Sequence, residues 1–321
     1  MDANREGARK LKLFGSVNLL AIIVLCRGKC GLSSCTTRYL VAMATADLLL
    51  IIADVILNQI NYYYFPLCFL HLTVVCSAQS VLVCAARDCS VWFTVTFSFD
   101  RFVAICCQKL RTNYCTGKTA VVVLTTTGIL LYLKNIPWYF TFEPYVIINN
   151  VPWLCNTKVN TLTDPTWLGF SWFEKVLTPL LPFALVLLLN ALTVRYILVT
   201  SRIRQGLRGK SNEQNSSDPE MESRRKSIIL LLAISGSFIL LWLVNVGNFL
   251  YSKIRGIVNS TEFEVVVHYV GWMLRNLNCC TNTFIYVLTQ SKFREQLKQA
   301  LKSTVISTVQ LVNKLTAVSN S

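Results

Sequence analysis

The tripeptide Asp100-Arg101-Phe102 places an acid and an arginine side by side at the end of a long apolar and aromatic stretch, with Lys109 and Arg111 shortly after it. A carboxylate and a guanidinium can pair and separate without any covalent chemistry. Such a pair is costly within apolar surroundings unless it lies at a membrane edge or its charges are paired. The position therefore indicates an arginine held at the inner face of a membrane, where its pairing decides when a partner can reach it.

A second group of polar residues lies inside apolar stretches, where polar side chains usually serve a function. Asp47 stands mid-way in one such stretch with only apolar and small neighbours. Polar side chains from other stretches could surround it, namely Asn18, Ser90, Asn278 and Asn282. Oxygen-bearing groups of this kind can hold a small cation such as sodium. A hydrogen-bonded packing network without an ion is the alternative, and the sequence leaves both open.

Two further arginines, Arg87 and Arg275, lie within apolar stretches and need anions. Arg87 precedes Arg101 by 14 residues, which on a helix is ~21 Å and a turn to within ~40° of the same face. It should therefore face the outer half of a bundle. Internal pairing with Asp88, Asp54 or Glu264 and contact with a ligand carboxylate are the two possibilities. The candidate ligand pocket comprises Arg87, Trp242, Asn245, Phe249, Trp272, Arg275 and Asn276.

The composition is typical of a membrane protein rather than a soluble one. Of 321 residues, 53% are hydrophobic and only 15% are charged, and the net charge is +15. Repeated apolar runs of about 20 residues predict helices that cross a bilayer. With two histidines and no Cys-x-x-Cys pair, a multi-histidine metal site is not available. No His-Glu-x-x-His or Gly-x-Ser-x-Gly motif occurs, so the sequence does not indicate an enzyme.

Seven apolar segments predict an all-α membrane protein, a seven-transmembrane helix bundle with a short amphipathic eighth helix. The segments are 13–26, 36–60, 72–105, 119–140, 167–200, 227–251 and 263–288. Residues 1–12 form an outer N-terminal segment, 13–288 the bundle and 303–321 a cytoplasmic tail. In the remaining stretch, 289–302, Phe293, Leu297 and Leu301 recur every four residues. That spacing indicates a helix lying along the inner membrane surface.

Basic residues predict the orientation of the chain. The loops after the first, third and fifth spans, counted together with Arg38 and Arg195 at the span ends beside them, hold 14 lysines and arginines, and the opposite loops hold three. This bias predicts an outer N-terminus and a cytoplasmic C-terminus in the plasma membrane. The first apolar run, from Leu13 to Cys26, is short for a crossing of ~20 residues. Either the first twelve or so residues replace the outer half of a longer helix, or snorkelling lysines anchor a short one.

The outer ends of the spans offer a disulfide and a glycosylation site. Cys76 precedes Arg101 by 25 residues, or ~37 Å of helix, and so lies at the outer face. Cys155 lies in the loop between the fourth and fifth spans, on the same oxidising side. Cys76 is the natural partner for Cys155, and Cys68 is a competing outer cysteine. Asn259 begins an Asn-Ser-Thr acceptor for glycosylation on the outer side.

Taken together, these features resemble the rhodopsin-like (class A) G-protein-coupled receptors over nearly the whole chain. Asp100-Arg101-Phe102 resembles the Asp-Arg-Tyr motif of that family, and Asn282-Thr-Phe-Ile-Tyr286 resembles its Asn-Pro-x-x-Tyr motif. Further matches to family markers are Asn18, Asp47, Cys76, Cys155, Pro182, Phe238, Trp242 and Phe293. Within the family, Thr127, Asn190 and the absence of a proline after Asn282 resemble the orphan receptors of the "probable G-protein coupled receptor 139" type.

The resemblance implies roles for individual residues and partners. Coupling to a heterotrimeric G protein, of the phospholipase-C-coupled class, would use Asp100, Arg101, Asn190, Tyr286, Arg224 and Arg225. The activation switch would comprise Phe238, Trp242, Asn282 and Tyr286. Arrestin and receptor kinases are possible further partners, the bilayer surrounds the bundle, and no nucleic-acid partner is expected. The only ion it suggests is sodium at Asp47.

Departures from the family pattern bear on ligand and activity. Val83 stands where amine receptors place an aspartate, and Asn276 where opsins place the retinal lysine. Arg87 and Arg275 instead favour a carboxylate-bearing small molecule or a peptide. Arg224 stands where many relatives place an acid that locks the third-span arginine, which predicts appreciable ligand-free signalling, with Glu220 and Glu222 as the candidate substitutes for that acid. The alternatives are an ion channel or transporter, and a non-signalling receptor-like protein with a truncated first helix.

Overall fold

The structure is a computed structural model that describes residues 15–60, 68–208, 219–255 and 262–302. The predicted N-terminal segment 1–12, the tail 303–321 and the glycosylation candidate Asn259 lie outside these ranges, and the side chain of Arg224 is not described. Nearly all of the described chain is helical. This agrees with the predicted all-α class.

Five helices are long and apolar enough to cross a membrane: Ser34–Leu57, Thr73–Cys106, Gly117–Thr141, Pro165–Ile203 and Arg225–Tyr251. They form the second to sixth spans. The shorter apolar helix Gly15–Cys26 is the first span, and Glu262–Thr289, which carries more polar residues, is the seventh. The predicted eighth helix is present at residues 291–302.

The third span is the central element of the bundle. Thr73–Cys106 packs against the second, fourth, fifth and sixth spans. Sixteen of its residues are buried, including Ser90, Asp100 and Arg101. After the predicted orientation, we call the Thr73 end of this helix, and of the bundle, the outer end and the Cys106 end the inner end. Because both ends belong to one continuous 34-residue helix, the charged groups along it are held at fixed relative heights.

The spans bury small and aromatic side chains between them and expose apolar ones outward. Among the described residues, the largest core cluster joins every span except the fifth, together with the eighth helix, and includes Tyr39, Phe97 and Ile234. Leu188 is 54% exposed and Leu240 is 69% exposed on the outside of the bundle. Outward leucines at this density suit contact with lipid, because lipid tails are as apolar as they are.

Two spans contain π-helical stretches that the sequence does not predict. In the second span, Ser34–Leu50 continues as the π-helix Ile51–Ile60. The fifth span consists of Pro165–Lys175, the π-helical stretch Val176–Leu180 and Leu181–Arg208. Pro179 lies inside that stretch and cannot donate a backbone hydrogen bond, so the regular ladder is interrupted there. The sixth span, Pro219–Arg255, is one uninterrupted helix.

Short elements connect the spans. On the inner side, the helix Gln108–Tyr114 follows the third span. On the outer side, the fourth span ends in the 3₁₀ helix Ile136–Thr141, and the connecting elements are the 3₁₀ helix Phe69–His71, the helix Asn160–Thr163 and four short strands. The strands are β1 (Phe142–Glu143), β2 (Val146–Ile148), β3 (Val151–Trp153) and β4 (Asn156–Thr157). β1 pairs with β4 and β2 with β3, both antiparallel.

The outer hairpin β2–β3 is fixed onto the third span. Asn149 and Asn150 form its tip with positive φ angles of 52° and 62°, a conformation that asparagine tolerates well. The backbone N–H of Leu154 donates to the carbonyl of His71 at 2.6 Å, and the Thr73 hydroxyl donates to the carbonyl of Leu154 at 2.8 Å. The predicted Cys76–Cys155 disulfide is confirmed, with a Cα–Cα distance of 6.3 Å. Cys68 is not part of it.

Candidate functional site

The Asp100–Arg101 pair is buried at the inner end of the third span. Asp100 is fully buried and Arg101 is 6% exposed. The Arg101 Nε–H donates to Asp100 Oδ2 at 2.9 Å, and its Nη2 contacts the same oxygen. The guanidinium carbon lies 5.9 Å from the centre of the Phe97 ring. The sixth span reaches the arginine through a serine, since Arg101 Nη1 donates to Ser227 Oγ at 3.4 Å.

Two thiols hold Asp100 from its other sides. The Cys35 thiol, at the start of the second span, donates to Asp100 Oδ1 at 3.0 Å. The Cys115 thiol, in the inner loop, donates to the backbone carbonyl of Asp100 at 3.7 Å. Burial, and then the negative charge of Asp100, raise the pKa of the Cys115 thiol to about 11. Cys115 therefore keeps its proton at neutral pH and remains a donor.

An inner cavity of about 610 Å³ opens beside Arg101. Its wall is formed by the inner ends of the second, third and sixth spans and by the inner loop, and includes Arg101, Arg111, Cys115, Ser227 and Gln290. The arginine thus forms part of the surface of a cavity on the inner side of the bundle. A helix or loop of a partner entering this cavity would meet its guanidinium.

Other residues predicted for coupling lie apart from that cavity. The Asn190 amide donates to Ser235 Oγ at 2.7 Å, which joins the fifth and sixth spans. Tyr286 is 1% exposed and its ring packs edge-on against Phe293 at 5.7 Å. Its hydroxyl is buried without a hydrogen-bond partner among the described residues. Arg225 is exposed at the start of the sixth span.

The predicted polar network around Asp47 comes together from four spans, the first, second, third and seventh. Asp47 is fully buried, and its carboxylate accepts from Ser90 Oγ at 2.5 Å and from Asn282 Nδ2 at 2.9 Å. The Asn18 amide donates to the carbonyl of Cys279 at 2.8 Å and its oxygen accepts from Thr283 Oγ1 at 3.4 Å. Asn278 is buried in the same region of the seventh span. Within the described ranges, no three His, Cys, Asp or Glu side chains form a metal cluster.

Phe238 and Trp242, the predicted switch pair, are in contact one helical turn apart. Their ring centres are 5.6 Å apart with the planes tilted by 34°. They pack on Val91 and Val95 of the third span and Val186 of the fifth. The indole N–H of Trp242 is buried without an acceptor among the described residues. The pair is therefore an apolar junction of three spans directly between the outer and inner halves.

An outer cavity of about 750 Å³ lies under the hairpin. Its wall includes Val83 and Arg87 of the third span, Glu174 and Lys175 of the fifth, and Trp138 of the fourth. Phe142, Tyr145, Leu154, Cys155 and Asn156 of the outer loop cover it. Its size is within the range of small-molecule sites.

A cluster of four charges, which we term the ionic cluster, lies at the wall of the outer cavity and joins the third, fourth and fifth spans. It consists of Arg87, Asp88, Lys134 and Glu174. Lys134 Nζ donates to Asp88 Oδ2 and to Glu174 Oε2, at 2.5 Å each. Asn135 donates to Asp88 Oδ2 at 2.8 Å. Arg87 Nη2 donates to Glu174 Oε1 at 3.3 Å, while its Nε is 3.7 Å from Asp88 Oδ1.

Lys134 and Glu174 were not among the predicted site residues. Both are charged side chains within predicted spans, and charge inside a span is the signal that identified Arg87. The sequence therefore contained the information. Of the three carboxylates proposed as partners for Arg87, the structure places Asp88 beside it. The closest carboxylate contact is with Glu174.

The remaining predicted pocket residues are distributed over the sixth and seventh spans. Phe249 packs edge-on against Trp172, with ring centres 6.0 Å apart. At Gly271 a Cβ atom would lie 3.4 Å from the Cα of Asn245, so the two spans approach closely there. Arg275 is half-buried, and its Nε has no hydrogen-bond partner among the described residues. Trp272 and Asn276 are half-buried. The structure places Arg87 alone of the seven predicted pocket residues on the wall of the outer cavity.

Comparison with known proteins connects this arrangement to one family. A family model described as "7 transmembrane receptor (rhodopsin family)" matches residues 17–286. The matched region begins just before Asn18 and ends at Tyr286. It therefore contains the Asp100–Arg101 pair, the polar network, the outer cavity and the inner cavity except for Gln290.

Curated relatives have low sequence identity but match most of this chain. Neuropeptide receptor 22 of Caenorhabditis elegans is 25% identical over 87% of the chain and 64% of its own length. Human G-protein coupled estrogen receptor 1 is 24% identical over 88% of the chain and 70% of its own length. The rat B2 bradykinin receptor is 23% identical over 89% of the chain and 69% of its own length. The chain spans just under two thirds of the neuropeptide receptor.

Proposed function

Because this chain belongs to the rhodopsin family of seven-transmembrane receptors, we propose that it binds an extracellular ligand and activates a heterotrimeric G protein. The family that the motifs predict is confirmed, and the chain is a multi-pass membrane protein and not an enzyme. The narrower resemblance to orphan receptors of the "probable G-protein coupled receptor 139" type stays a prediction. The observation that carries the proposal is the placement of Arg101 at the wall of a cavity at the inner end of the bundle.

Activation needs only a ligand that binds one arrangement of the spans better than another. The ligand occupies the outer cavity, and the Phe238–Trp242 junction repacks between the two halves. The network around Asp47 rearranges, and the inner end of the sixth span moves away from Arg101. The C-terminal helix of a G protein then enters the inner cavity. The receptor promotes nucleotide exchange on this partner and makes no covalent bond.

The hold on Arg101 in the described structure is weak on the side of the sixth span. Among the described side chains, the sixth span meets Arg101 through a neutral serine, Ser227, at 3.4 Å, and a charged pair would contribute more than a long neutral contact. We therefore expect signalling without added ligand. Cells that express the full chain should show second-messenger output above untransfected cells, and Arg101→Ala should abolish it. Output at the untransfected level, with surface expression verified, would contradict the prediction.

The proposed ligand is a carboxylate-bearing small molecule or a peptide. Arg87 and Lys175 stand on the wall of the outer cavity and supply positive charge for such a group. Val83, which lies on the same wall, offers no acid to a cationic amine. These features support an anionic ligand over an amine.

We also propose the following finer assignments. The G protein belongs to the phospholipase-C-coupled class, as the resemblance implies, and inositol phosphate accumulation measures it. Arrestin and receptor kinases act on the active receptor. The chain lies in the plasma membrane with its N-terminus outside, and sodium bound at Asp47 favours the inactive arrangement.

A further inference from the structure

We infer that Arg87 binds the carboxylate of the ligand and that Glu174 acts as an internal substitute for that carboxylate until the ligand displaces it. This deepens the proposed function and rests on it, because it assigns the ligand contact and the way it acts on the fifth span.

Arg87 is the loosely held cation of the ionic cluster. Its guanidinium has five N–H donors, yet its one hydrogen bond within the ionic cluster is to Glu174, at 3.3 Å. The 3.7 Å separation from Asp88 is too long for a hydrogen bond. The side chain is 21% exposed and lies on the wall of the outer cavity. Donors of an arginine that faces a cavity suit the bidentate binding of a carboxylate.

Releasing Arg87 leaves no buried carboxylate without a partner. Lys134 bonds both Asp88 and Glu174 at 2.5 Å, and Asn135 adds a bond to Asp88. Removing one partner from a buried charge is costly chiefly because the other is left unpaired. Here Lys134 remains with both acids, so a ligand carboxylate can take Arg87 at a small cost.

The cavity wall favours a single carboxylate on an apolar or aromatic body. Arg87 and Lys175 contribute two cations to the wall, and Glu174 is the one acid among its described residues. Trp138, Phe142 and Tyr145 supply aromatic surface. Glu174 is followed closely by the π-helical stretch Val176–Leu180. Displacement of Glu174 from Arg87 therefore changes a contact of the fifth span next to the stretch where the helix of that span is already irregular.

Thermal unfolding of the purified full chain in lipid nanodiscs tests this without a G protein. The probes are phenylacetate, 3-phenylpropionate and 4-phenylbutyrate, each compared with its primary amide. We expect at least one acid to raise the unfolding temperature in a saturable way and its amide to have no such effect. Arg87→Gln should weaken binding of that acid about tenfold or more, because a charge-assisted pair is lost. Arg87→Lys keeps the positive charge but not the bidentate geometry of the guanidinium, and should weaken binding of the acid less.

Glu174→Gln should have the opposite effect, because it removes the competing carboxylate while its amide oxygen can still accept from Lys134. The acid should bind several-fold more tightly to this variant. Glu143→Gln, which makes the same change on the β1 strand of the outer loop, is the matched control and should leave binding unchanged. Three results would each overturn the inference. They are no response to any acid, equal responses to acid and amide, and an acid affinity that neither Arg87→Gln nor Glu174→Gln changes. Failure of G-protein activation would overturn the proposed function alone.

Discussion

The carboxylate of Asp100 is shared between two partners of very different character. One oxygen accepts from Arg101 and the other accepts from the Cys35 thiol at 3.0 Å. Both acid and thiol are almost fully buried, so water cannot replace either bond. Cys35 therefore positions the acid that holds the arginine, and does so from a different span. No motif in the sequence marks this cysteine, because a lone thiol in an apolar stretch more often behaves as a small hydrophobe.

Replacing Cys35 should raise ligand-free signalling. A typical hydrogen bond contributes about 1 kcal/mol, or roughly a fivefold change in an equilibrium. Cys35→Ala removes the donor and should loosen the Asp100–Arg101 pair, whereas Cys35→Ser keeps a donor and should behave like the wild type. Second-messenger output at matched surface expression measures the effect.

The control for this experiment is Cys30→Ala. Cys30 is also buried near the inner face, but its thiol donates to the carbonyl of Val24 at 3.6 Å and not to Asp100. Its substitution should leave output unchanged. If Cys35→Ala and Cys30→Ala give the same output, or if Cys35→Ser rises as far as Cys35→Ala, the positioning role is wrong.

At the level of the helices, the third span connects the outer charges to the inner ones. The ionic cluster joins it to the fourth and fifth spans, and the network at Asp47 joins the second span to the third and seventh. Both contacts between spans consist of buried polar groups. Such groups destabilise the fold more when only some of their partners are present than when apolar side chains replace all of them. Lys134 is the cation that both acids of the ionic cluster share, and it is therefore the residue on which that joint depends most.

Lys134→Met should destabilise the bundle by about 3–5 kcal/mol, because it leaves Asp88 and Glu174 short of a cation. Adding Asp88→Asn and Glu174→Gln to that variant should restore much of the loss. Thermal unfolding of the purified variants measures both effects. If Lys134→Met alone unfolds within about a degree of the wild type, the ionic cluster contributes little to stability.

At the scale of the whole molecule, the spans, the disulfide and the family follow from sequence patterns that depend on length and spacing. Cys76 and Arg101 lie at opposite ends of one helix because 25 residues separate them, and a helix has a fixed rise. No pattern of length or spacing in the sequence predicts the β2–β3 hairpin or the π-helical stretches. The contact of Arg87 with Glu174 depends on how two spans are rotated, which hydropathy does not specify.

The distribution of basic residues predicts an orientation that can be tested on the whole chain. An epitope at the N-terminus should be stained on intact cells, and one at the C-terminus should be stained only after permeabilisation, because basic loops remain on the cytoplasmic side. The same chain tagged after Ser321 serves as its own control for membrane integrity. An N-terminal epitope that is hidden on intact cells would overturn the predicted orientation.

The hairpin over the outer cavity has a kinetic consequence. It is fixed by the disulfide and by backbone bonds to His71 and Thr73, and its loop contributes five residues to the cavity wall. A hairpin fixed over the cavity slows dissociation of a ligand as much as its association. Among related complexes, differences in affinity come mostly from the dissociation rate. A ligand of moderate affinity would therefore have a long residence time, and signalling would outlast the pulse of ligand that began it.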